Sequence, residues 1–182
     1  KLYRLDAIRE QGLRFREEIQ IAEDLQFNLD YLRAVEGDLA MLNKPLYHYV
    51  RLSNNSLSLI YYENAIEHTK AVYENLLDFM KDQQGVGPED VLEIKAIYLV
   101  DWTSRMTALY ESGRLAGTED RRCGKQKIQQ EIRSGKFRQL LEEVHTYGGI
   151  SMVRYLALKT GQYGIYCFLR KIYRVFNVYL TY

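Results

Sequence analysis

From Glu63 onward the apolar residues recur at helical spacing, and this change of period confines most of the chain to helices. Ile66, Tyr73, Leu76, Leu77 and Met80 fall at i, i+7, i+10, i+11 and i+14, one stripe of a 3.6-residue repeat. Gly85-Val86-Gly87-Pro88 breaks that stripe. A second long helix is expected just after Pro88, carrying Val91, Ile94, Tyr98, Trp102, Met106 and Leu109 and ending between Gly113 and Gly117. A third pattern, Ile128 and Ile132, runs to Ser134-Gly135. A fourth, with Phe137, Leu140, Leu141 and Val144, runs to Gly148-Gly149. Met152 and Leu156 mark a short fifth helix ending at Gly161. The last starts near Gly164 and places Ile165, Phe168, Leu169, Ile172, Phe176, Tyr179 and Leu180 on one face. Only 2 prolines in 182 residues agree with a helical reading.

Residues 1–60 have a different, mixed character. Leu5 to Gln11 reads as a short helix stopped by Gly12. Leu13-Arg14-Phe15 reads as a short extended piece. Asp24 then opens a helix with Leu25, Phe27, Leu29 and Leu32 at its apolar positions, ending near Gly37. Leu39 to Leu42 is apolar and strand-like, and Asn43-Lys44-Pro45 is turn chemistry. Leu46 to Arg51 alternates, with Leu46, His48 and Val50 on one face and Tyr47, Tyr49 and Arg51 on the other. The expected fold is therefore mainly α: a small α/β piece over 1–60 followed by a helical bundle over 61–182. No internal repeat or low-complexity tract interrupts it.

Charge is balanced overall, at a formal +1, but unevenly placed. No acidic residue follows Glu143, whereas Arg154, Lys159, Arg170, Lys171 and Arg174 do. An anionic surface is thus expected to face the C-terminal part. Cys123 and Cys167, the only cysteines, make no disulfide framework, so a reducing compartment and a cytoplasmic location are expected. No apolar run is long enough to cross a bilayer, and Lys1-Leu2-Tyr3-Arg4 opens the chain without a signal-peptide pattern. With no initiator Met, the sequence is expected to begin inside a longer protein.

Three constellations could carry chemistry. In Ile21-Ala22-Glu23-Asp24-Leu25-Gln26-Phe27-Asn28, two carboxylates stand at the mouth of a helix. Asp24 there is either a helix cap or a general base that takes a proton from a substrate hydroxyl. In Lys44-Pro45-Leu46-Tyr47-His48-Tyr49-Val50-Arg51, His48 is either a packed, hydrogen-bonded histidine or a metal or phosphate ligand. Arg51 is either a solvated residue or a phosphate contact. In the last helix, Arg170, Lys171 and Arg174 flank an aromatic-rich apolar face. Residues 163–182 suit a helix lying in a membrane interface, or equally one packed on its own bundle with the basic groups reaching water. Nucleic-acid binding is not expected, because the basic stretch is short and matches no known module. His68 and His145 are read as surface residues. No phosphate-cradling glycine loop, zinc spacing or nucleophile elbow occurs.

The order of the N-terminal pieces resembles the segment that closes the catalytic domain of bacterial family 2 glycosyltransferases. These are enzymes of the GT-A type. Lys1-Leu2-Tyr3-Arg4, Ile8, Gly12-Leu13-Arg14-Phe15, Ile21 to Leu29, Asn43 to Tyr49 and Asn55-Ser56 carry the resemblance, over roughly the first third of the chain. It implies an inverting transfer from a nucleotide-sugar donor to a glycan or lipid-linked acceptor, in the synthesis of a cell-surface or capsular polysaccharide. By the same resemblance Asp24 is the catalytic base and Glu23 shapes the acceptor site. His48 would reach the metal, and Arg51 would contact the donor diphosphate. A divalent cation, Mn or Mg, is implied for the complete enzyme. The family's Asp-x-Asp motif and nucleotide-binding units have no counterpart in these residues, so the 182-residue chain alone is expected to be inactive. The Gln-x-x-Arg-Trp motif of processive synthases is also missing, which argues against a polymerising enzyme. The competing expectation is a non-catalytic helical module for protein association or attachment to the inner face of the membrane. A homodimer is compatible with either.

Overall fold

A computed structural model describes residues 1–37, 39–40, 43–45, 64–115 and 118–179. The chain divides into two compact units, Lys1–Gln83 and Gln84–Tyr182. Among the described residues every regular element is a helix.

The first unit holds α1 (Leu5–Glu10), α2 (Glu23–Ala34) and α3 (Ala65–Lys81). Gly12 ends α1 in the left-handed region at φ 62°. That turn lets the Leu13 amide return to the Ile8 carbonyl at 3.0 Å, a bond that closes the helix end. Phe27 and Leu29 on α2 and Ala65, Ile66, Val72 and Tyr73 on α3 form the buried core. A polar column runs beside it. Gln26, itself buried, donates to Asp30 and accepts from Asn75, each at 2.9 Å. Arg16 grips Asp30 with both guanidinium arms, and Arg33 reaches the Asn75 carbonyl at 3.1 Å. A buried amide costs little only when its groups are paired, so Gln26 ties α2 to α3 in one register.

The α/β reading of residues 1–60 finds no support. Residues 13–15 form no strand, because Phe15 is committed elsewhere: its ring stacks on Phe27 at 4.5 Å. Leu39 and Ala40 carry no regular structure. Met41, Leu42 and the alternating segment 46–51 lie outside the described residues, and so do His48 and Arg51.

The second unit is built on α4 (Pro88–Leu115), with α5 (Thr118–Arg133), α6 (Gly135–Tyr147), α7 (Met152–Lys159) and α8 (Tyr163–Tyr179). Pro88 is the first residue of α4, where its missing N–H costs nothing. Asp90 accepts the Gly87 amide at 2.7 Å and secures that start. Trp102 centres the core: Tyr98 stacks on it at 5.3 Å, and Phe137 meets it edge-on at 5.2 Å. Its indole N–H donates to Glu131 at 3.1 Å. Ile128, Ile132, Leu140, Leu141 and Val144 complete the interior. Ser134 caps α6 by accepting the Phe137 amide. At the other end of α6, Gly148 turns left-handed at φ 85°. The next residue, Gly149, lies so close to α4 that an added Cβ would stand 3.2 Å from Ala96 and 2.9 Å from Val144.

The two C-terminal helices turn a different side inward from the one their apolar spacing suggests. On α7 the buried residues are Tyr155, Ala157 and Leu158, while Met152 and Leu156 are exposed. On α8 the buried residues are Tyr163, Tyr166 and Cys167, while Ile165, Phe168 and Ile172 are exposed. The cause on α8 is a hydroxyl seam. Tyr163 donates to the Thr103 carbonyl at 2.7 Å and shares a bond with the Thr107 hydroxyl at 2.9 Å. Tyr166 donates to the Thr103 hydroxyl, and Arg170 donates to Thr107 and Ser104. Buried phenols need such partners, and α4 supplies them on one face.

Candidate active site at the first turn of helix α2

Glu23 and Asp24 are the first two residues of α2. Asp24 therefore does not occupy the N-cap position, although its side chain accepts a first-turn amide. The capping position belongs to Ala22, which offers no side-chain acceptor and sits at φ 59°, ψ 28°. Among the described non-glycine residues, Ala22 alone has positive φ. A Cβ in this left-handed region costs about 1 kcal/mol or more. Both carboxylates stand in the first turn of α2, at the positive end of the helix dipole. Asp24 accepts the neighbouring Leu25 amide at 2.8 Å and is exposed, while Glu23 is half-buried.

Tyr3 and Asn28 stand beside Asp24. Asn28 follows it by one helical turn, and the Tyr3 hydroxyl donates to the Asn28 side-chain carbonyl. Burial, and then the charge of Asp24, push the Tyr3 phenol above its usual range. The Tyr3 ring is held edge-on to Phe27 at 5.3 Å and to Tyr31 at 5.1 Å. The Tyr31 hydroxyl accepts the Arg4 amide at 3.3 Å, which fixes the strip leading into α1. The result is a solvent-accessible carboxylate flanked by a fixed phenol and a carboxamide. Such a set can accept a proton from a hydroxyl and hydrogen-bond neighbouring polar groups.

The structure thus brings together Asp24 and Glu23 and adds Tyr3 and Asn28, which sequence reasoning did not single out. The four-residue step from Asp24 to Asn28 was a visible signal for Asn28, since it places both on one helix face. Nothing local pointed to Tyr3, 25 residues away from Asn28. His48 and Arg51 lie outside the described residues. Among the described residues no three His, Cys, Asp or Glu side chains converge in a way that would hold a cation. Both histidines read as surface residues are half-buried. His68 Nδ1 accepts the Gln20 amide at 3.4 Å, and the His145 ring stacks on Tyr155 at 3.8 Å. Comparison with protein-family models, with curated proteins and with solved structures finds no match to this chain.

Proposed function

We propose that the chain is the C-terminal part of an inverting family 2 glycosyltransferase of the GT-A type, with Asp24 as its catalytic base. In the complete enzyme the Asp24 carboxylate takes the proton of an acceptor hydroxyl. The freed oxygen attacks the anomeric carbon of the nucleotide-sugar. The bond from that carbon to the diphosphate breaks, and the diphosphate leaves with the electron pair. One base suffices, because direct displacement needs no covalent intermediate.

The observation that carries this reading is the left-handed Ala22 immediately before Glu23-Asp24. Backbone strain at a non-glycine residue concentrates where a side chain must be aimed. Here it aims Asp24 next to Tyr3 and Asn28. Glu23, in the same turn, would shape the acceptor side of the site. A second support is the apolar surface of the first unit, where Leu2, Leu5, Phe15 and Leu32 are exposed. That surface suits a segment completing a larger catalytic domain.

The test is made on the complete enzyme, with a panel of nucleotide-sugars and Mn²⁺. One donor should be turned over, and Asp24→Asn should abolish transfer while leaving the melting temperature close to that of the parent. Loss of a general base lowers turnover by about 10²–10⁴-fold. An enzyme inert to every donor, or an Asp24→Asn variant as active as its parent, would remove the proposal.

A further inference from the structure

We infer that the exposed apolar strip on α8, together with the exposed apolar residues of α7, docks on an anionic lipid surface. The inference goes beyond the glycosyltransferase reading and does not rest on it.

The strip is the outward side of a helix that is buried by its other side. On α8, Ile165 is 48% exposed, Phe168 62% and Ile172 37%. At 3.6 residues per turn these three fall within about 60° of arc. Tyr163, Tyr166 and Arg170 are held instead by the hydroxyls and a carbonyl of α4. Those hydrogen bonds fix the rotation of α8, so its apolar strip cannot turn inward without orphaning two buried phenols. On α7, Met152, Val153 and Leu156 are likewise exposed and share one face. Large apolar side chains gathered this way mark an interaction surface.

Charge selects the occupant. Neither α7 nor α8 contains an acidic residue, and none follows Glu143 anywhere in the sequence. Lys171, 60% exposed on α8, lies one residue from Ile172 and three from Phe168; its ammonium is 3.3 Å from Glu111 of α4, an exposed pair that a headgroup can exchange into. Lys159, more than half exposed, closes α7 and forms a second exposed pair, 3.0 Å from Glu142 of α6. An apolar strip with a Phe at its centre, on helices whose only charges are cationic, suits the boundary between anionic headgroups and acyl chains. No helix among the described residues is long and apolar enough to cross a membrane, so the mode is lying on the surface.

The experiment uses the 182-residue chain and co-sedimentation with vesicles of phosphatidylcholine alone or mixed with phosphatidylglycerol. The chain should sediment with the mixed vesicles, only weakly with the neutral ones, and less as salt rises. Phe168→Asp with Ile172→Asp should weaken binding by about tenfold or more, with the helical circular dichroism unchanged. In a second variant, Phe168→Trp, the new indole's emission should shift to the blue on adding the anionic vesicles. The inference is overturned if the parent does not bind the mixed vesicles, or if the Asp pair binds as the parent does. It is also overturned if the emission of the Phe168→Trp variant does not move, or if the parent is a dimer that the Asp pair dissociates and no lipid binding is seen. None of these readouts involves sugar transfer, so failure here leaves the Asp24 proposal standing, and the reverse.

Discussion

The carbonyl of Ala22 accepts the Gln26 amide at 3.0 Å while Ala22 itself remains left-handed. The first hydrogen bond of α2 is therefore made from a strained residue, and Gln26, its partner, is the buried amide that links α2 to α3. Ala22→Gly should relieve that strain without moving the helix start. A gain of roughly 1 kcal/mol is expected, measured as a rise in the urea midpoint. Gly also has more freedom to lose on folding, which offsets part of the gain. A clear loss of stability in Ala22→Gly would mean that the left-handed Cβ costs nothing here.

Phe137 is completely buried and meets the ring of Trp102 edge-on. Phe137→Ala leaves a cavity at the centre of the second unit and should destabilise it by about 3–5 kcal/mol. Trp102 is the chain's single tryptophan, so its fluorescence reports this unit directly during urea unfolding. A loss below about 1 kcal/mol would mean that the helices collapse onto the gap.

The helices after Glu63 were legible because each carries an apolar stripe, and a 3.6-residue period survives whatever the stripe packs against. Phe137, Leu140, Leu141 and Val144 are the clearest case, and all four are buried. Which way α7 and α8 face was not legible. Periodicity finds the apolar side of a helix, but it cannot weigh the hydroxyls of Thr103 and Thr107, some 60 residues earlier, that draw Tyr163 and Tyr166 inward. The site was half legible. The Glu23-Asp24 pair and its place in a first turn follow from residue type and spacing. The left-handed Ala22 does not, since alanine gives no sign of it, and Tyr3 arrives only through tertiary packing on Phe27. Leu13 to Phe15 form no strand: after the left-handed Gly12 the Leu13 amide returns to Ile8 of α1, and the Phe15 ring stacks on Phe27.

Tyr163 joins the Thr103 carbonyl and the Thr107 hydroxyl in a buried position. Tyr163→Phe removes that link, while Thr107 keeps its bond from Arg170. A loss of about 1 kcal/mol is expected. Burial holds the Tyr163 phenol well above its usual range, so the folded state resists its ionisation. A raised folded value gives stability that is complete below the ordinary phenol range and is lost as pH rises through it. Thermal unfolding of the parent should therefore fall steeply in alkali, above about pH 10, and the fall should be shallower in Tyr163→Phe. Identical alkaline profiles would mean that another group sets this limit.

Acid acts on a different cluster. The Glu142 carboxylate accepts the Tyr155 hydroxyl at 2.7 and 2.9 Å and lies 3.0 Å from the Lys159 ammonium. The Tyr155 hydrogen bond first, and Lys159 second, hold Glu142 below the usual carboxylate range. A carboxylate with a lowered folded value contributes stability that is present above its unfolded value and disappears as pH falls through the folded one. The melting temperature should thus decline below about pH 4, as Glu142 takes up a proton. Glu142→Gln should start lower at neutral pH and show a flatter decline, because a carboxamide does not titrate and pairs weakly with Lys159. Lys159→Met should flatten the acid decline only in part, since Tyr155 still donates to Glu142. If Glu142→Gln and the parent decline in parallel between about pH 5 and pH 2, the acid dependence belongs to other carboxylates and the link between α6 and α7 is not tuned by this charge.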